Sequence, residues 1–209
     1  MKTSQTAMVA ALTGGAAALA AFFMTAGADN DKTRPITSAM ETAIFAGGCF
    51  WCVESDFDKV DGVVETISGY TGGDTTNPTY KSHTKDGHLE AVKIIYDPTV
   101  VDYETLVTYF FRHIDPTDDG GQFCDRGNSY TTAVFVENAQ ERAIVEDEIA
   151  SITQSNVLPG PIVTKVREQG AFYDAENYHQ DYYLKNPVRY KFYRDGCRRD
   201  ARVKQVWGS

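Results

Sequence analysis

From residue 41 onward, short apolar runs that read as strands alternate with stretches whose apolar residues recur every three to four positions, the period of a helix with one buried face. Thr42 to Ala46 is an apolar run that ends at Gly47-Gly48. From Cys49 to about Lys59 the period changes, with Trp51, Ser55 and Lys59 on one side and Phe50, Val53 and Phe57 near the other. A strand entering a helix through a Gly-Gly turn is predicted there. Val63 to Tyr70 is rich in β-branched residues, and Gly69, Gly72 and Gly73 with Asn77-Pro78 mark a loop. His88 to Tyr96 reads as a buried strand stopped by Asp97-Pro98, and Asp102 is placed to cap a helix over Tyr103 to Ile114. A loop from Asp115 to Ser129 precedes a strand at Thr131 to Val136, a helix over Ala139 to Ile152 and a strand at Ile162 to Val166. Tyr178 to Leu184 reads as a short helix, and Gly196 to Trp207 as a polar tail packing through Val203, Val206 and Trp207. Several strands are joined by glycine loops, not helices. The pattern therefore predicts an α+β two-layer sandwich, with a ferredoxin-like (split βαβ) core and a C-terminal extension.

Residues 1–40 follow a different pattern. Lys2 gives a basic start, Ala7 to Ala28 is Ala-rich and uncharged, and Ala26-Gly27-Ala28 offers small residues for cleavage. Residues 1–28 are read as a signal peptide, 29–40 as a linker and 41–209 as the catalytic domain. Export to the periplasm or outside the cell follows. The rival reading is an uncleaved anchor, since the run reaches membrane-spanning length, although Thr13, Gly14 and Gly15 weaken it. A net charge of -9 is a poor match for nucleic acid or anionic lipid, so neither is expected as a partner. Arg194, Arg198, Arg199, Arg202 and Lys204 are predicted to form a solvated helix face.

The four cysteines, Cys49, Cys52, Cys124 and Cys197, all lie in the exported part. Cys-x-x-Cys closes a very small loop with little entropic gain, which argues against two purely structural bridges. Zinc would need four ligands at recognisable spacings; no second Cys-x-x-Cys or close Cys/His pair occurs, and no metal is expected. A thiol reacts as its thiolate, which the N–H groups at a helix start favour, so Cys49 is predicted to have a pKa below that of a free cysteine. Phe50 and Trp51, about 100° apart on a helix, cannot both face the core stripe. One is free to line an apolar cup beside the sulfur.

Gly48-Cys49-Phe50-Trp51 with Glu54, Gly69-Tyr70-Thr71-Gly72-Gly73, Asn77-Pro78-Thr79-Tyr80, Gly87-His88-Leu89-Glu90, Tyr96-Asp97-Pro98, Asp115-Pro116-Thr117, and Asp125-Arg126-Gly127 before Tyr130 follow in order. Together they resemble the peptide methionine sulfoxide reductases of the A type, which reduce methionine S-sulfoxide, protein-bound or free. The resemblance implies that Cys49 attacks the sulfoxide sulfur and that Glu90 is the acid for the departing oxygen. Tyr80 and Tyr130 would hydrogen-bond that oxygen, Asp125 would hold the site through a water, and Phe50 and Trp51 would receive the methyl group. Taken alone, Glu90 would be a solvated strand residue and Asp125 a loop cap. His88 is read as shaping its loop, and His179 is left without chemistry.

The family's usual resolving cysteine follows the tyrosine of an Asn-Pro-x-x-Tyr block, but here Asn186-Pro187-Val188-Arg189-Tyr190 is followed by Lys191. Cys52, one helical turn from Cys49, is the preferred resolving thiol, with Cys197 second and Cys124 or a three-cysteine relay behind it. No resident cofactor is implied; a thioredoxin-like dithiol would reopen the disulfide, and a monomer is expected. The competing readings are a general Cys-x-x-Cys thiol-disulfide oxidoreductase, which leaves Tyr80, Glu90 and Tyr130 unexplained, and a disulfide-stapled binding module.

Overall fold

The computed structural model describes residues 39–208; the signal-peptide reading of residues 1–28 and almost all of the linker lie outside the described residues. Among the described residues no helix is long and apolar enough to cross a membrane. The apolar run at the start becomes β1 (Glu41–Gly47) and enters α1 (Phe50–Phe57) through Gly48. There follow β2 (Val63–Thr71), β3 (Leu89–Tyr96), α2 (Tyr103–Arg112), a hairpin of β4 (Gly121–Gln122) and β5 (Asp125–Arg126), and a 3-10 turn at Asn128–Tyr130. The chain continues as β6 (Thr132–Val136), α3 (Ala139–Ser155), β7 (Lys165–Glu168), β8 (Phe172–Asp174), α4 (Tyr182–Lys185), α5 (Pro187–Gly196) and α6 (Arg199–Trp207).

Local chemistry sets the helix starts. The Asp102 carboxylate accepts from the Thr105 N–H at 2.8 Å at the head of α2. At α3, Asn138 accepts from the Glu141 N–H at 2.9 Å while Glu141 reaches back to the Glu137 N–H at 2.8 Å. Asn156 closes α3 in the left-handed conformation, which asparagine tolerates.

Six strands form one sheet in the order β7-β6-β1-β3-β2-β8, antiparallel except for the β6/β7 pair. The architecture is mixed α+β, as the pattern predicts. Because side chains alternate along a strand, Ala43 and Phe45 point to the helical layer while Ile44 and Ala46 point the other way. Phe45 shares the main core with Val53 and Phe57 of α1 and Leu106, Val107 and Phe110 of α2. The opposite face buries Ile44, Ala46, Leu89, Ala91, Ala133 and Phe135, with Phe172 packed against them. Phe45 is 0% exposed and stacks on Phe57 at 5.3 Å and Phe110 at 4.9 Å. Phe45→Ala is expected to cost about 3–5 kcal/mol in urea unfolding, because the cavity left between two rings cannot collapse. A loss below about 1 kcal/mol would show that the stack is not central.

The C-terminal third differs most from the sequence-based expectation. The strand placed at Ile162 to Val166 begins at Lys165, and the helix placed at Tyr178 to Leu184 begins at Tyr182. The polar tail is helical, preceded by the unforeseen α5, and Trp207 plugs the core while its Nε1–H donates to the Ile114 carbonyl at 3.1 Å. The basic cluster is a solvated face only in part: Arg198 and Lys204 are exposed, but the others turn inward. Arg199 is 2% exposed and donates to the Gly47 and His113 carbonyls at 3.1 and 3.0 Å, while Arg202 pairs with Asp115 at 2.8 Å. The carbonyls that end β1 and α2 need a donor once buried, and Arg199 supplies it.

Candidate active site

Gly48 turns the chain from β1 into α1 with φ +84, and a Cβ there would stand 2.6 Å from the Gln122 Cβ. Only glycine combines that backbone with that approach. Gln122 is itself fixed, accepting from the Asp115 N–H at 2.9 Å and donating to the Asp115 carbonyl at 2.8 Å. The turn places Cys49 at the N-cap of α1, where its carbonyl accepts from the Cys52 N–H at 3.1 Å. The next N–H, of Phe50, is taken by the Glu90 carboxyl on β3 at 3.0 Å.

Cys49, Phe50, Trp51, Tyr80, Glu90, Asp125, Tyr130 and Tyr193 line one cavity of about 60 Å³. It has room for a small end group of a side chain, such as a methyl sulfoxide. Larger cavities, of about 340 Å³ beside Cys124 and about 410 Å³ along α2, contain neither free thiol. The catalytic and substrate-binding candidates read from the sequence therefore converge on a single site. Phe50 is buried; Trp51 stays at the mouth, stacked on Tyr182 at 3.7 Å with its Nε1–H donating to His179 Nδ1 at 3.1 Å. Tyr80 is held by its own N–H, which donates to Glu176 at 3.0 Å. His88 does shape its loop: it accepts from the Gly73 N–H at 3.2 Å and donates to the Thr75 carbonyl at 2.9 Å.

Burial, reinforced by Asp125, raises Glu90 to about 8, so this carboxyl is a protonated acid at neutral pH. Burial and the neighbouring Glu90 also raise Tyr80 and Tyr130, which remain phenol donors. The lowered pKa expected for Cys49 does not hold. Burial pushes this thiol up, Cys52 and Glu90 add to the rise, and only the Tyr193 hydroxyl opposes them. The helix N–H expected to stabilise a thiolate is spent on Glu90. Cys52 moves the other way, to about 7, through its hydrogen bond with Cys49 and the charges of Arg199 and Arg194.

Sequence reasoning missed three contributors. Tyr193 donates to Asp125 and lies within hydrogen-bonding reach of the Cys49 sulfur. Arg194 and Arg199 pair with the buried Asp56, at 2.8 and 3.6 Å, behind Cys52. Tyr190, Tyr193 and Arg194 have the one-turn spacing of a helix face, a signal that was present. Cys197, read as an alternative resolving thiol, is bonded to Cys124, and among the four cysteines only Cys49 and Cys52 are free.

Residues 41–209 match the family model described as peptide methionine sulfoxide reductase. The chain is 53% identical over 166 residues to peptide methionine sulfoxide reductase MsrA 2 of Rhizobium meliloti, covering 79% of this chain and 83% of the relative. It is 51% identical over 180 residues to MsrA 2 of Caulobacter vibrioides, covering 84% and 91%. Methionine sulfoxide reductase A of Corynebacterium diphtheriae superposes with a TM-score of 0.63 at 32% identity, covering 75% of this chain and 78% of that one. Reduced Mxr1 of Saccharomyces cerevisiae superposes with a TM-score of 0.62 at 29% identity, covering 71% and 86%.

Proposed function

Since the chain belongs to the peptide methionine sulfoxide reductase family and reduces methionine S-sulfoxide to methionine, we propose that Cys49 is the thiol that takes the oxygen and Cys52 the thiol that resolves it. The observation that carries this assignment is one small cavity holding a free thiol, a protonated buried acid and three phenols, with a second free thiol one helical turn away.

The methyl group lies against Phe50 and Trp51, and the sulfoxide oxygen accepts from Glu90, Tyr80 and Tyr130. As the Glu90 proton moves to that oxygen, positive charge develops on the substrate sulfur beside Cys49. That charge is what draws the otherwise protonated thiol into attack. The Cys49 sulfur supplies two electrons, the substrate leaves as thioether, the oxygen remains on Cys49 as sulfenic acid, and the Cys49 proton restores Glu90. Cys52, held as thiolate by Arg199 and Arg194, then attacks the Cys49 sulfur. The S–O bond breaks, Glu90 protonates the leaving oxygen to water, and a disulfide forms.

An external thioredoxin-like dithiol reopens that disulfide, and the enzyme works as a monomer with no bound cofactor. Residues 1–28 direct export, the linker ends at residue 40, and 41–209 carry the activity. The β1-α1-β2-β3-α2-β6 order, with β6-β1-β3-β2 as neighbours, supports a ferredoxin-like core. A general thiol-disulfide oxidoreductase would need neither Glu90 nor the phenols. Turnover of each epimer of a methionine sulfoxide peptide with dithiothreitol tests the reading. The S epimer should be consumed and the R epimer left; equal consumption of both would contradict it.

A further inference from the structure

The helix that presents Tyr193 is poorly held by apolar packing. Tyr190 is the one buried residue of α5, whereas Val188 and Phe192 are 81% and 82% exposed. Asp125, which accepts from Tyr193, stands in a hairpin of two strands of two residues each. Two weak elements thus meet at the hydrogen bond over the reacting sulfur. The Cys124–Cys197 disulfide crosses between the same two elements. Cys124 immediately precedes Asp125, and Cys197 is one helical turn beyond Tyr193, its N–H donating to the Tyr193 carbonyl at 2.9 Å. The disulfide and the Asp125–Tyr193 hydrogen bond are therefore parallel ties.

We propose that Cys124–Cys197 is a positioning disulfide of the reductase site, fixing the loop of Asp125 against the helix of Tyr193 so that the Tyr193 hydroxyl stays on Cys49. This rests on Cys49 being the attacking thiol. Neither Cys124 nor Cys197 exchanges electrons with the substrate in this role. A bridge between residues 73 positions apart removes freedom that helix packing alone leaves to α5. It serves the reaction by keeping that hydroxyl in place beside the sulfur, since small displacements from reacting geometry are costly in rate. A bridge that served stability alone would have no reason to act on Tyr193 in particular.

The test is a double-mutant cycle on the first half-reaction, followed as methionine released in a single turnover without reductant, well below the unfolding temperature. Cys124→Ala/Cys197→Ala should release the same amount of methionine per enzyme, since Cys49 and Cys52 are intact, but about tenfold more slowly. Tyr193→Phe should slow the parent by a similar factor and the double variant hardly at all. If Tyr193→Phe costs the same factor in both backgrounds, or the double variant keeps the parent rate, the bridge is no positioning element. Loss of the methionine released, as opposed to its rate, would instead strike at the assignment of Cys49. Should the double variant fail to fold, the intact chain can be titrated with a phosphine. Cys124 is exposed beside an open cavity, so the bridge is within reach. Thiol labelling read by mass spectrometry then reports its opening, and the rate should fall in step with it; a rate indifferent to the opening overturns the proposal.

Discussion

Cys49→Ser is expected to lower turnover of methionine S-sulfoxide at least about 1,000-fold, to the background of the assay. The reaction stores the departing oxygen on the nucleophile. Sulfur accepts it as a sulfenic acid, whereas a serine oxygen would have to form a weak O–O bond. The variant should fold as the parent does, because Cys49 makes no side-chain cap and its backbone bonds to Cys52 and Val53 persist with serine. Steady-state assay with dithiothreitol reads the loss, and circular dichroism the fold. Turnover within about tenfold of the parent would remove Cys49 from the centre of the mechanism.

Glu90→Gln is the second large effect, a fall of about 100-fold in kcat/KM, in the range for loss of a positioned acid. Its pH dependence is more telling than its size. The acid must be protonated to act, and burial holds it at about 8, so kcat/KM of the parent should fall as pH rises through 8. The glutamine variant should show no fall there. Resolution by Cys52, as proposed, should have the opposite sign, growing as pH rises through about 7 while its thiolate forms. Stability offers an independent check. Glu90 has a folded-state pKa raised from 4.5 to about 8, so its contribution to stability is present below 4.5 and is lost as pH rises through 8. Glu90→Gln should therefore gain on the parent in thermal stability as pH climbs from 5 to 9. A parent profile flat across pH 8 in both rate and stability would mean that Glu90 is ionised in the free enzyme.

Much of the sheet and most of the cavity were legible because both rest on short-range signals. The apolar run through Ile44, Phe45 and Ala46, the spacing of Leu106, Tyr109, Phe110 and His113, and the capping Asp102 each act within a few residues. Cys49, Glu90, Tyr80 and Tyr130 stood in recognisable blocks. Helix α5 was not legible for a physical reason. Val188 and Phe192 of α5 face outward, so no apolar stripe announces the helix. Arg199 reads locally as one more surface cation, and its burial is decided by Asp56, Gly47 and His113, far away in the chain. The rise in the Cys49 pKa was hidden for a similar cause: burial, its main source, and the Glu90 carboxyl on the first N–H of α1 both depend on how distant parts of the chain lie over the turn.

The proposed function turns on a sulfenic acid at Cys49, a species that can be trapped. In Cys52→Ser no thiol stands beside Cys49 to condense with it. Mixed with excess S-sulfoxide peptide and no reductant, this variant should release one equivalent of methionine per enzyme and stop, with a sulfenic-acid probe such as dimedone attached to Cys49 alone. No methionine released, or the probe found on another cysteine, would contradict it.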